Sequence, residues 1–149
     1  MRSFKFRISV LNFGNPKLVT MLAKGLNLEV YFKNKVENIP VETTIIEEGS
    51  PFSGIYYIKK GQLKILKKDE KGKEIMIQLM SKRDFIGLST FFIDSHYQFS
   101  AITQESCKLI NIKPDEFETL LSRSFDLNKQ LMIFMIKRIE FLERLMVNI

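Results

Sequence analysis

From Val36 to Ile112 the apolar residues of this chain recur at about every second position, in short runs interrupted by glycine and polar residues. That period puts alternate side chains on opposite faces of a strand. Such a stretch buries its apolar faces only by pairing strands into sheets. The runs fall at 36–40, 43–48, 54–59, 62–68, 74–80, 98–103 and 107–112, with Gly49, Gly61 and Gly72 at three of the joins. "KKDEKGKE" (67–74) is a polar turn in which Gly72 is free to take a positive φ. Many short strands separated by turns imply a sandwich or barrel.

Helical periods flank this block. "NPKLVTMLAKG" (15–25) carries a helix's punctuation: Asn15 suits the N-cap, Pro16 the first helical position and Gly25 the stop. After Lys113, Pro114 opens a short helix to about Leu121, and Ser124 or Asp126 caps a long one running to the end of the chain. Met132, Met135, Ile139, Leu142, Met146 and Ile149 are spaced 3, 4, 3, 4 and 3, a heptad seam. Leu131, Phe134, Phe141 and Leu145 make a second apolar stripe beside it. A helix apolar on two sides needs two partners, here its own strand block and a second copy of the chain. The alternative is that both stripes pack within one chain. At 149 residues the length fits one domain: a helical lead-in at 15–35, strands at 36–112 and C-terminal helices at 114–149.

The formal charge of +6 weakly suggests an anionic partner. Seven lysines between Lys59 and Lys73 read as lying along one hairpin. Lysines alternating with apolar residues on a strand form a solvated face and guard a sheet edge. Cys107 is the single cysteine and His96 the single histidine. That leaves no disulfide framework, points to a reducing compartment and offers no set of metal ligands. There is no Gly-x-Ser-x-Gly elbow, P-loop or dinucleotide fingerprint. A nucleophile would need a base, His96 is the only neutral-pH candidate, and no spacing ties it to Cys107. No catalytic or metal-binding residue is assigned. Lys5 and Arg7 stand where a signal peptide would be apolar, and the longest fully apolar run, Leu131 to Ile136, is far short of a membrane span. A cytoplasmic protein with no membrane association is expected.

The stretch from 38 to 87 resembles the cyclic-nucleotide-binding domain of the Crp/Fnr (catabolite activator-like) regulators. The resemblance is carried by Ile46 to Gly49 at the first turn, "YYIKKG" (56–61), "KDEKGKE" (68–74) and Asp84-Phe85-Ile86-Gly87, and it resumes through "LINIKPDEF" (109–117) and the long helix. It implies a mainly β fold with flanking helices. The core is a double-stranded β-helix of jelly-roll type, with an N-terminal helix and a long C-terminal dimerisation helix. In such regulators that helix leads into a helix-turn-helix domain, so DNA contact is expected only through a C-terminal domain that this sequence does not contain.

The resemblance also places a ligand pocket at Gly87, Leu88, Ser89, Thr90, Tyr97, Gln98, Leu142 and Glu143. Its charged contacts are missing. The family's ribose-gripping Glu after the glycine is Leu88 here. The cyclic-phosphate Arg and the Ser or Thr after it fall on Tyr97 and Gln98 counted back from the next strand, or on Gln98 and Phe99 counted forward from Gly87. No Arg occurs between Arg83 and Arg123, and no Glu between Glu74 and Glu105. The polar pair that meets adenine matches Leu142 and Glu143, and Arg83 replaces the usual Gly before Asp84. For a replacement cation from elsewhere, Arg83 or a partner subunit is the first suspect.

The implied function is the effector-sensing and dimerisation domain of a transcription regulator, with a degenerate nucleotide pocket and no required cofactor. Cyclic AMP, another cyclic nucleotide or a less polar small-molecule effector are the candidate ligands. A homodimer through Met132, Met135, Ile139, Leu142 and Met146 is expected. The alternatives are a stand-alone module acting through a protein partner and, more distantly, a small jelly-roll enzyme.

Overall fold

In a computed structural model the described residues are 36–148. The helix expected at 15–25, the rest of the lead-in and Ile149 of the seam lie outside them. The described residues form eight strands and three helices: β1 Val36–Ile39, β2 Thr44–Ile46, β3 Ile55–Lys60, β4 Leu63–Lys68, β5 Glu74–Met80, β6 Phe85–Ile86, α1 Leu88–Ile93, β7 Ser100–Thr103, β8 Cys107–Ile112, α2 Pro114–Arg123 and α3 Phe125–Val147. The strands make two four-stranded antiparallel sheets, ordered β1-β8-β3-β6 and β2-β7-β4-β5. This is the expected jelly roll with flanking helices.

The period-two pattern is used on both faces of the first sheet. Ile58 and Leu109 point between the sheets, where they join Leu63, Ile65 and Ala101. Their neighbours Tyr57 and Ile110, opposite one another in the register, pack on the other face against Phe117, Leu127, Leu131 and Phe134. The layers therefore run from helices to first sheet to second sheet, and the first sheet is buried on both sides.

The lysines do not lie on one hairpin. Lys59 and Lys60 end β3 in the first sheet, while Lys64, Lys67 and Lys68 lie on β4 in the second. Gly61 makes the crossing. Its φ is +101°, and a Cβ there would sit 2.6 Å from the Cys107 Sγ and 2.7 Å from the Ser106 carbonyl oxygen, so only glycine fits. The true hairpin is β4–β5, closed by Asp69, whose Oδ1 accepts from the Lys71 and Lys73 amides at 2.9 Å each. Gly72 takes φ +81° there, as the turn requires.

Two elements were not legible as such in the sequence: the two-residue strand β6 and the one-and-a-half-turn helix α1, which occupies the start of what reads as a loop. At α3, Ser124 is the cap. Its Oγ accepts from the Leu127 amide at 3.1 Å, and Asp126 lies in the first turn, where a negative charge favours the helix dipole. The two stripes of α3 separate sharply. Leu131, Phe134, Phe141 and Leu145 are buried; Met132, Met135, Ile139, Leu142 and Met146 are exposed, Met132 by 53%.

Candidate functional site

β6 ends on Gly87, whose φ of +102° turns the chain directly into α1. The helix is short and has two faces. Phe91 and Thr90 face inward. Phe91 meets Phe117 edge-on at 4.9 Å and Phe52 at 6.1 Å, and Thr90 is fully buried with no hydrogen-bond partner for its hydroxyl among the described residues. The other face carries Leu88, Ser89, Phe92 and Ile93, and it forms one wall of a cavity of about 680 Å³. The opposite walls come from β4 and β5 (Ile65, Ile77, Met80) and from α3 (Leu131, Met132, Met135, Arg138). A roll, a short helix and the start of a long helix thus enclose a space of the size that small-molecule sites use.

The residues assigned to the pocket from sequence divide. Gly87, Leu88 and Ser89 line the cavity, and so does Phe99. Thr90, Tyr97, Gln98, Leu142 and Glu143 are not part of its wall. Tyr97 is a core residue, 2% exposed. Its hydroxyl donates to the Gly54 carbonyl at 2.6 Å and accepts from the Ser53 amide at 3.2 Å, and its ring lies 5.4 Å from Phe52 and 5.9 Å from Phe99. Gln98 is exposed, its side-chain amide donating to the His96 carbonyl at 3.2 Å. Leu142 and Glu143 are exposed farther along α3. The forward count from Gly87 therefore puts a cavity residue, Phe99, near the family's phosphate contact, and that residue is apolar.

Among the described residues the cation of the site is Arg138, which sequence reasoning missed. Arg83, the expected candidate, is exposed in the turn before β6 and is not a wall residue. Arg138 extends from α3 into the cavity wall, with its guanidinium 5.7 Å from the centroid of the Phe134 ring and 3.9 Å from the Asp84 carboxylate. The contact to Asp84 is longer than a hydrogen bond. Burial pushes the Asp84 carboxyl above its ordinary range, more than the Ser81 amide and Arg138 pull it down. Helical spacing held the signal: Arg138 follows Leu131 by seven and Phe134 by four, which puts it on the buried side of α3 and not on the seam.

Cys107 is buried, its Sγ faces the carbonyls of Gln62 and Glu105 at 3.3 and 3.2 Å, and burial pushes its thiol pKa up, away from a reactive thiolate. His96 is exposed, with its Nδ1 2.9 Å from the Ser95 hydroxyl. Among the described residues no three His, Cys, Asp or Glu side chains are grouped to hold a metal, and no helix is long and apolar enough to cross a membrane.

A jelly roll whose C-terminal helix borders a ligand-sized cavity beside a Gly-initiated short helix is the architecture of a cyclic-nucleotide-binding-like domain. Residues 36–124 match the family model of the cyclic nucleotide-binding domain, and the chain belongs to that family. Its curated relatives are Crp-type regulators. It is 27% identical over 106 residues to the cAMP-activated global transcriptional regulator CRP of Escherichia coli, an alignment covering 70% of this chain and 50% of that protein. The chain thus spans about half the length of the curated relatives it matches. Two solved structures share the fold. The Thermus thermophilus catabolite activator protein superposes with a TM-score of 0.66 at 17% identity, covering 91% of this chain and 60% of that one. The sensor domain of the transcriptional regulator DNR from Pseudomonas aeruginosa gives 0.63 at 16% identity, covering 97% and 95%.

Proposed function

We propose that this chain is the effector-sensing and dimerisation domain of a cytoplasmic Crp/Fnr-like transcription regulator whose pocket has lost the family's cyclic-nucleotide contacts. It forms one sensor unit, with a lead-in at 15–35, the roll at 36–112 and helices at 114–149, and it reaches DNA only through a further C-terminal domain. The observation that carries this reading is that Met132 and Met135 belong both to the cavity wall and to the exposed seam of α3. An occupant of the cavity touches the same side chains that a second copy of α3 would cover, so ligand and dimer geometry share one element. The match over nearly the whole chain to a domain that is itself the sensor part of a transcriptional regulator supports the same division of labour.

Cyclic AMP is not the expected effector. A charge-assisted hydrogen bond contributes about 1.5–3 kcal/mol, or roughly tenfold to more than a hundredfold in affinity. The phosphate Arg and the ribose carboxylate are both replaced, the latter by Leu88. Calorimetry with cyclic AMP and cyclic GMP should show no binding at micromolar concentrations and at best millimolar affinity, near −4 kcal/mol. A Leu88→Glu, Phe99→Arg double substitution places an acceptor and a cation at two wall positions and should gain measurable affinity. Micromolar binding by the unmodified chain would overturn the reading.

A further inference from the structure

Resting on the reading of this cavity as the effector site, we propose that it takes an amphipathic monocarboxylate, with the apolar body between β5, α1 and α3 and the carboxylate on the Arg138 guanidinium. Exposed apolar side chains converge here from three elements: Ile77 on β5, Phe92 and Ile93 on α1, and Met132 on α3 all line the cavity while remaining largely open to solvent. Water-exposed apolar surface gathered around a concave site marks a place that an apolar group covers. Among the described residues Arg138 is the only charged one of the wall. A guanidinium has five donors in a planar fork that matches a carboxylate. Asp84 leaves those donors largely unspent, since it stands 3.9 Å away and its other oxygen accepts from the Ser81 amide at 2.9 Å.

The wall is poor in groups that would satisfy a polar body. Asn128 already spends its side-chain amide on the Leu121 and Ser124 carbonyls, at 2.6 and 2.8 Å. Gln78 and Ser89 are the other polar side chains besides Arg138. A nucleotide would find few protein partners in the described wall for its ribose hydroxyls and base edges. A doubly charged phosphate would meet one cation with a carboxylate behind it. One negative charge on an apolar body gives Arg138 an acceptor and asks little of the rest of the described wall.

The test is calorimetry on the full chain with decanoate and 1-naphthylacetate, each beside its corresponding alcohol. At least one acid should bind at micromolar concentrations, with its alcohol markedly weaker. Arg138→Gln should weaken the acid roughly tenfold or more and leave the alcohol unchanged. Asp84→Asn keeps an acceptor for the Ser81 amide and removes the competing carboxylate, so it should tighten the acid several-fold. That gain is one that a damaged fold would not produce. Acid and alcohol binding equally, neither acid binding, or Arg138→Gln binding the acid as the unmodified chain does would each overturn the assignment. Failure of both acids with cyclic AMP still silent would remove the ligand class alone. Cyclic AMP binding at micromolar concentration and displacing the acid would also overturn the reading of a pocket without the family's nucleotide contacts.

Discussion

Arg83 and Asp84 show how single positions in one turn carry opposite consequences. Arg83 takes φ +75° where the family resemblance puts Gly, so the turn survives and the side chain bears its strain. A non-glycine residue in that region costs about 1–2 kcal/mol, part of which a glycine would return through the freer unfolded chain. Arg83→Gly should therefore raise stability by about 0.5–1 kcal/mol, read as a higher urea midpoint at unchanged slope. Asp84 behaves differently because it titrates. Its folded pKa is raised, chiefly by burial, so the folded state holds the proton over a pH range in which the unfolded state has released it. Stability then falls as pH rises from the ordinary carboxylate range through the raised folded value. Asp84→Asn should be more stable than the unmodified chain at pH 7, and the advantage should shrink as pH falls back toward the ordinary carboxylate range. Urea titrations at several pH values would show it. A gap that widens in acid would mean that the Arg138 contact outweighs burial.

At the scale of elements, α3 is two helices in one. Its buried stripe packs on the first sheet through Leu127, Leu131 and Phe134, and its other stripe is open. The two should respond differently to substitution. Phe134→Ala removes a ring from the core and should cost about 3–5 kcal/mol by urea unfolding. Ile139→Glu with Leu142→Glu should leave the folded monomer intact and abolish a dimer that sediments as such at tens of micromolar. A seam of this length is an unusual patch for a monomer to expose. Sedimentation of the unmodified chain as a monomer at that concentration would count against the dimer. α1 teaches a different lesson. Its six residues are too few to show a helical period, so "LSTFFI" reads as loop, although Phe91 packs as a core residue against Phe117.

For the whole molecule, the formal charge of +6 is contributed by residues 1–35, which hold seven Lys and Arg against one Glu, while residues 36–149 balance; the lysines of β3 and β4 lie in different sheets. The described residues offer no helix pair of the kind that sets a recognition helix in a major groove. Duplex DNA should therefore bind this chain only non-specifically, with an affinity that falls steeply between low and physiological salt. A gel shift that depends on sequence and resists salt would contradict this.

What the sequence determined by itself was whatever depends on local period and local chemistry. Strand alternation, the glycine turns, the Pro114 and Ser124 helix starts and the two stripes of α3 all follow from spacing, because backbone geometry converts spacing directly into faces. So does the expectation that the family's charged contacts are replaced, since an absent Arg needs no structure to be noticed. What only the tertiary structure decided was which separated segments share a wall. Tyr97 and Arg138 changed places in this way. Tyr97, taken from sequence as a pocket residue, is held in the core by Gly54 and Phe52, while Arg138, 51 positions beyond Gly87, enters the cavity because α3 folds back across the roll. The physical reason is that a helix face records which side chains point together, whereas the surface that face meets is set by packing between elements far apart in the chain.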